Sequence, residues 1–301
     1  MDVKTIVAGV DFLGSGLASA RWVGRHLSPD RVILVHALHI PKPPKFLTGL
    51  WGDEEQVLVS ARSGAQARLD EFARQLEDET GVSVETRIRV GSPAEQIGIA
   101  ADSLEAELIV VGPHASRKGR WTLLGSTAVQ LLHEARIPTV VGHGVLRESP
   151  ERIMGTVDDS ALAAGVPAWT KGLSERFGAR PMLLHVLDVP VEAHLRAIEP
   201  PRDERPGSEL TGELADRARG WLRETAEEVG LGEDTELIVA MGDPAFEILA
   251  AAERHAVDLI VVGTRGPGSI TRAVMGSVAD TVLRRAGCPV LALPTPELTG
   301  A

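Results

Sequence analysis

The stretch Asp258-Leu259-Ile260-Val261-Val262-Gly263-Thr264-Arg265-Gly266, followed after nine residues by Gly276-Ser277, decides the fold. Residues 259–262 carry no charge on either face, which marks a strand buried on both sides in a parallel sheet. The glycines after it make a loop, and Gly276-Ser277 opens a helix. A strand, a glycine loop and a helix N-terminus in that order can hold phosphate, because free N–H groups and the helix dipole favour an anion there.

The same pattern occurs earlier as Val110-Val111-Gly112-Pro113-His114-Ala115, nine residues, and Gly125-Ser126. A spacing of 151 residues separates Gly91 from Gly242, Gly112 from Gly263, Gly125 from Gly276 and Pro138 from Pro289. Asp11 and Asp158 are 147 apart, and His36 and His185 are 149 apart. Short repeat arrays have periods of about 20–50 residues, so this is a duplicated domain. The predicted domains are 1–143 and 151–295, joined by a short linker at 144–150 that implies packing of the two halves.

Within the first copy, strands are predicted at 5–10, 31–37, 82–90, 108–111 and 139–141. Helices are predicted near 15–27, 54–79, after Ser92-Pro93, and from Gly125-Ser126. The helix at 54–79 presents Val57, Leu58, Ala61, Ala65, Leu69, Phe72 and Leu76 at helical spacing, and Gly81 ends it. Ser92 is read as a cap with Pro93 in the first turn, and 82–90 alternates as a half-buried strand towards an edge. The second copy repeats the order, with strands at 153–157, 181–187, 236–240, 259–262 and 290–293. Strands alternating with helices predict, in each copy, a five-stranded parallel sheet with helices on both faces, a Rossmann-like α/β fold.

Composition narrows the function. A net charge of −11 argues against nucleic-acid or anionic-membrane surfaces, which need clustered Lys and Arg. With Tyr absent and 3% aromatics, there is no stacking platform for single strands. Cys288 is the only cysteine, so no intrachain disulfide forms, and together with a start lacking a basic leader this predicts a cytoplasmic protein. No stretch reaches the roughly 20 apolar residues of a membrane span.

In sheets of this kind ligands bind beyond the carboxyl ends of the strands, where strand order reverses. In the second copy Asp158, Val186 and the segment from Gly263 to Ser277 are expected to meet there. Gly263 and Gly266 are expected to take positive φ and let a ligand approach the backbone. The Ser277 hydroxyl adds a donor. Asp158 fits two roles, a helix cap or a carboxylate for a ribose hydroxyl or a phosphate-bound metal. Ser277 is equally suited to capping its helix.

These residues resemble the universal stress protein family, whose ATP-binding members carry G-x2-G-x9-G-(S/T). The second copy has Gly263, Gly266, Gly276 and Ser277 in that spacing, with His185-Val186 ending strand two and Cys288-Pro289-Val290 opening the last strand. The resemblance covers essentially the whole chain, once per half. It implies the adenine nucleotide α-hydrolase-like variant of the fold and an ATP site at Asp158, Val186, Val262, Gly263, Gly266, Gly276, Ser277 and Val278, with Mg²⁺ as an accompanying ion. For the first copy it implies a weaker site at Asp11, Ala37, Gly112, Ala115, Gly125 and Ser126. There Ala115 replaces the second glycine and Ala37 the strand-two valine, while Arg117, Lys118 and Arg120 make the loop basic. The family also implies a pseudo-dimer of the two halves through 139–141 and 290–293, and a homodimer of chains with an unidentified protein partner.

Other constellations carry less. Gly14-Ser15-Gly16 reads as a tight helix start, since the third glycine of a dinucleotide fingerprint is Ser19. No G-x4-G-K-(S/T) loop occurs. His36 and His185 end equivalent strands and read as structural rather than metal-ligating. Cys288 reads as a small buried residue rather than a nucleophile. No catalytic residues are expected. A nucleotide-binding regulatory protein is the first reading; a slow ATP hydrolase and a nucleotide-free scaffold are its rivals.

Overall fold

The structure is a computed structural model that describes residues 3–12, 14–39, 54–113, 124–134, 136–144, 146–158, 165–188, 206–264 and 275–294. The chain divides into two compact units, Asp2–Leu146 and Arg147–Ala301. In the first, the described elements are β1 (Thr5–Gly9), α1 (Ser15–Leu27), β2 (Arg31–Leu38), α2 (Glu54–Thr80), β3 (Ser83–Val90), α3 (Pro93–Ser103), β4 (Leu108–Val111), α4 (Ser126–Glu134) and β5 (Thr139–Val141). The strand order is β3-β2-β1-β4-β5, and every neighbouring pair is parallel.

The second unit repeats this. Its described elements are β6 (Arg152–Thr156), α5 (Gly165–Phe177), β7 (Arg180–Asp188), α6 (Pro206–Glu228), β8 (Glu236–Gly242), α7 (Pro244–Arg254), β9 (Leu259–Gly263), α8 (Ser277–Arg285) and β10 (Val290–Leu293). Its order is β8-β7-β6-β9-β10, again all parallel. In both units the chain builds outward from the central strand, then returns to the other side of it. The reversal falls between β1 and β4, and between β6 and β9.

The apolar runs fill the middle of each sheet. Ile6, Val7 and Ala8 of β1, Val110 of β4 and Ile260 and Val261 of β9 are fully enclosed. Outer strands β3 and β8 are mostly half-buried, as their mixed composition predicts. Gly81 and Gly230 end the two long helices at φ +69° and +71°, a conformation that favours glycine.

Two local expectations need correction. Ala65, Leu69, Phe72 and Leu76 of α2 are buried, but Ala61 is exposed, and Ala73 joins the buried face. A 27-residue helix is roughly 40 Å long, whereas the 8-residue β3 beside it spans roughly 26 Å, so one end overhangs the sheet. Ser92 stands at the N-cap of α3 without a side-chain bond. Its counterpart Asp243 does cap α7, accepting from Phe246 N at 2.8 Å.

Each unit fastens its central strand with a carboxylate from the start of the returning strand. Glu107 accepts from the amides of Lys4 and Thr5. Asp258 accepts from Glu151 N at 2.7 Å and Arg152 N at 3.1 Å, and pairs with Arg147 at 2.9 Å. Asp258 is 5% exposed, so its bonds are shielded from water. Asp258→Ala leaves two amides without this acceptor, and hydrogen bonds to a charged group contribute about 1.5–3 kcal/mol each net. Urea unfolding of the variant is expected to show a loss of about 3 kcal/mol.

Candidate functional site

In the first domain a cleft opens at the reversal point. It is lined by Gly9, Val10 and Asp11 after β1, Val35, His36 and Ala37 at the end of β2, and Val111, Gly112 and Pro113 after β4. Gly16 of α1, Pro93 and Ile97 of α3, and Gly125, Thr127 and Ala128 at the start of α4 complete it. Four sequence-predicted residues, Asp11, Ala37, Gly112 and Gly125, therefore line one cavity. Ser126 is the exposed first residue of α4, and Ala115 lies outside the described residues.

The glycine after β4, Gly112, is there for space. A Cβ on Gly112 would lie 2.4 Å from Gly16 N and 2.5 Å from the Ser15 carbonyl carbon. A Cβ on Gly16 would lie 2.6 Å from Gly9 O. The start of α1 is thus wedged between the ends of β1 and β4, which explains Gly16 as a packing device, while Gly14 supplies the positive φ of +108° at the N-cap. Ser15 Oγ also donates to Pro113 O at 2.7 Å. The same logic corrects the expectation for Gly263. It is the last residue of β9, in extended strand and not in a left-handed conformation.

The helix after the glycine loop presents its first turn to the site. The first intrahelical bond of α4 runs from Val129 N to Gly125 O, so the amides of Ser126, Thr127 and Ala128 lie outside the ladder. In α8 the first bond runs from Asp280 N to Gly276 O, which leaves Ser277, Val278 and Ala279 in the same situation. Gly276 occupies the N-cap with no side-chain cap bond, so Ser277 is the first helical residue rather than the cap. Gly276 N donates to Thr264 O at 2.8 Å and closes the base of the loop.

The second domain brings the carboxyl ends of β6, β7 and β9 side by side, with Asp158 and Val186 half-buried and Val262 buried. Thr156 Oγ1 donates to Val261 O at 3.3 Å across that point. Gly266 and the rest of its loop, residues 265–274, lie outside the described residues.

The strand-end histidines are structural. His36 Nδ1 lies 2.6 Å from Val10 O, and His185 Nδ1 lies 2.8 Å from Val157 O. A carbonyl only accepts, so Nδ1 carries the proton in both. Phe12 stacks on His36 at 4.3 Å between centroids, with the Arg68 guanidinium 4.5 Å from the Phe12 centroid. Trp221 holds His185 edge-on at 5.0 Å, a packing role. Among the described residues no group of three or more His, Cys, Asp or Glu is placed to hold a metal. No described helix is long and apolar enough to cross a membrane.

Sequence reasoning missed Val10 and Thr127. The signal for Thr127 was available, since it lies 151 residues before Val278, a predicted contact. Cys288 is buried, and desolvation followed by the charge of Asp258 pushes its thiol up to about 12. It is no nucleophile at neutral pH.

A doubly wound parallel domain occurring twice, with a cleft at the reversal point of the first, defines a tandem α/β protein. The chain belongs to the universal stress protein family, whose model matches residues 2–143 and 150–294. It is 30% identical over 299 residues to a universal stress protein of Mycolicibacterium smegmatis, covering 95% of each chain. It is 27% identical over 314 residues to universal stress protein Rv2623 of Mycobacterium tuberculosis, again covering 95% of each. A solved universal stress protein from Archaeoglobus fulgidus shares the fold, with TM-score 0.70 and 19% identity over 98% of this chain and 99% of that one.

Two outcomes follow. Gly112→Ala drives a methyl into the α1 backbone, and overpacking of this kind costs on the order of 1–3 kcal/mol; thermal unfolding is expected to show a loss of about that size. For Cys288 the folded-state value lies above that of the unfolded thiol, so the folded chain holds the proton longer. Its contribution is full below about pH 8.5 and is lost as pH rises towards 12. A Cys288→Ala variant is expected to show a flatter stability profile across that window in urea titrations at fixed pH.

Proposed function

We propose that the chain is an adenine-nucleotide-binding regulatory protein, with ATP held in the second domain by Asp158, Val186, Val262, Gly263, Gly266, Gly276, Ser277 and Val278. The supporting observation is the convergence at the reversal point of the second domain: a strand-end carboxylate at Asp158, a glycine ending β9, and a helix whose first amides lie outside its ladder. The amide of Gly276 closes the loop, so the anion falls to the amides and hydroxyl of the following turn. Phosphates placed there put the base towards the end of β7, beside Val186.

Mg²⁺ fits as an ion carried by the phosphates. Such ions keep several waters and take one or two carboxylates rather than an all-protein cage, and Asp158 is the nearest candidate to supply one. The first-domain cleft, with Ala37 for valine and Ala115 for glycine, is a poor fit to ATP, which leaves one ATP site per chain.

Denaturing the purified protein and identifying released nucleotide by mass tests this. About one ATP per chain is expected, and Asp158→Ala is expected to weaken ATP binding about tenfold, the loss of one charge-assisted hydrogen bond of about 1.4 kcal/mol. No nucleotide, even after incubation with ATP and Mg²⁺, would leave the scaffold reading. Multiple-turnover phosphate release abolished in Asp158→Ala would make the protein a hydrolase.

A further inference from the structure

We propose that the first-domain cleft takes a 6-oxopurine nucleotide, with guanine as its base, and that Arg89 selects it. This rests on the nucleotide reading above.

The register of the outer strand carries the argument. Arg89 lies opposite Ala37, and Arg87 opposite Val35; Ala37 and Val35 both line the cleft. Alternation puts 85, 87 and 89 on the same face as 31, 35 and 37. That face is the one α3 covers: Arg31 Nη2 donates to Leu104 O at the end of α3, the helix whose Pro93 and Ile97 line the cavity. Neighbouring strands are about 4.8 Å apart, a distance that an arginine side chain exceeds in length.

Arg89 is also available. Glu85 engages Arg87 at 2.6 Å and Arg31 at 3.7 Å. Arg89 is half-buried and has no hydrogen bond or ion pair among the described residues. A partly desolvated guanidinium calls for an acceptor. The second domain has none of this, because Ala240 lies opposite Val186 there.

The sheet order fixes the ligand's direction. Phosphate at the start of α4 lies on the β4 side, so the base lies on the β2 side, beside Ala37 and Arg89. Guanidinium offers only donors, in a planar fork. Adenine presents an amino donor next to N7 and accepts poorly from such a fork. Guanine presents O6 and N7, two acceptors that match it. Alanine in place of valine at position 37 leaves room for the altered base.

Isothermal titration of the full chain with ATP and with GTP tests the assignment. One equivalent of each is expected, without competition. Arg89→Ala is expected to weaken GTP by tenfold or more and leave ATP unchanged. Ala240→Arg is expected to give the second domain GTP affinity, a gain that misfolding cannot mimic. Unchanged GTP affinity in Arg89→Ala, or GTP and ATP competing for the same equivalent, overturns the assignment. ATP binding without GTP binding overturns it while the adenine-nucleotide reading stands. Binding of neither overturns both.

Discussion

The contact on which the rest depends is the one between backbones at the reversal point. Gly112 and Gly16 let the end of β4, the start of α1 and the backbone at the end of β1 meet with no side chain between them. Van der Waals exclusion is steep, so one methyl here is not absorbed by a rotamer change. With that contact made, α1 starts at the mouth of the sheet and α4 opens across from it. The cleft is the space these elements leave. The site is therefore a by-product of close packing, and its chemistry comes from whatever side chains stand at strand ends.

Duplication makes this separation visible. The backbone features recur: histidines bonding the carbonyl after the central strand, and carboxylates fastening the central strand's first amides. The side chains around them differ. Glu107 is exposed and Asp258 buried. Pro113 O accepts a serine hydroxyl where Thr264 O accepts the amide of Gly276. Ala37 faces an arginine across the strand pair where Val186 faces an alanine. Even the packing residues at the reversal point have changed, since Thr156 stands in the second copy where Gly9 stands in the first.

The fold was legible because its signals are local. Uncharged runs such as Leu108–Val111 announce buried parallel strands, and Gly81 announces a helix end. Most element boundaries follow from such signals. The glycines of the site were legible as positions but not as reasons: sequence suggested a positive φ at Gly263, whereas the need seen at Gly112 is room against another element. Such a need is a property of two distant segments, and no single window contains it. Arg89 escaped for the same reason. Nothing in Thr86-Arg87-Ile88-Arg89 marks one arginine as set apart; only strand register and the pairing of Glu85 do so.

The three bonds to Asp258 have a mechanical side. Arg147, Glu151 N and Arg152 N all converge on this one carboxylate where the chain enters the second domain. A tug on the preceding segment would load that clamp before it reached the ladder of β6. The entrance to the domain is built as a strain relief, of the kind fitted where a cable meets its housing, with the load taken by the carboxylate before the central strand β6.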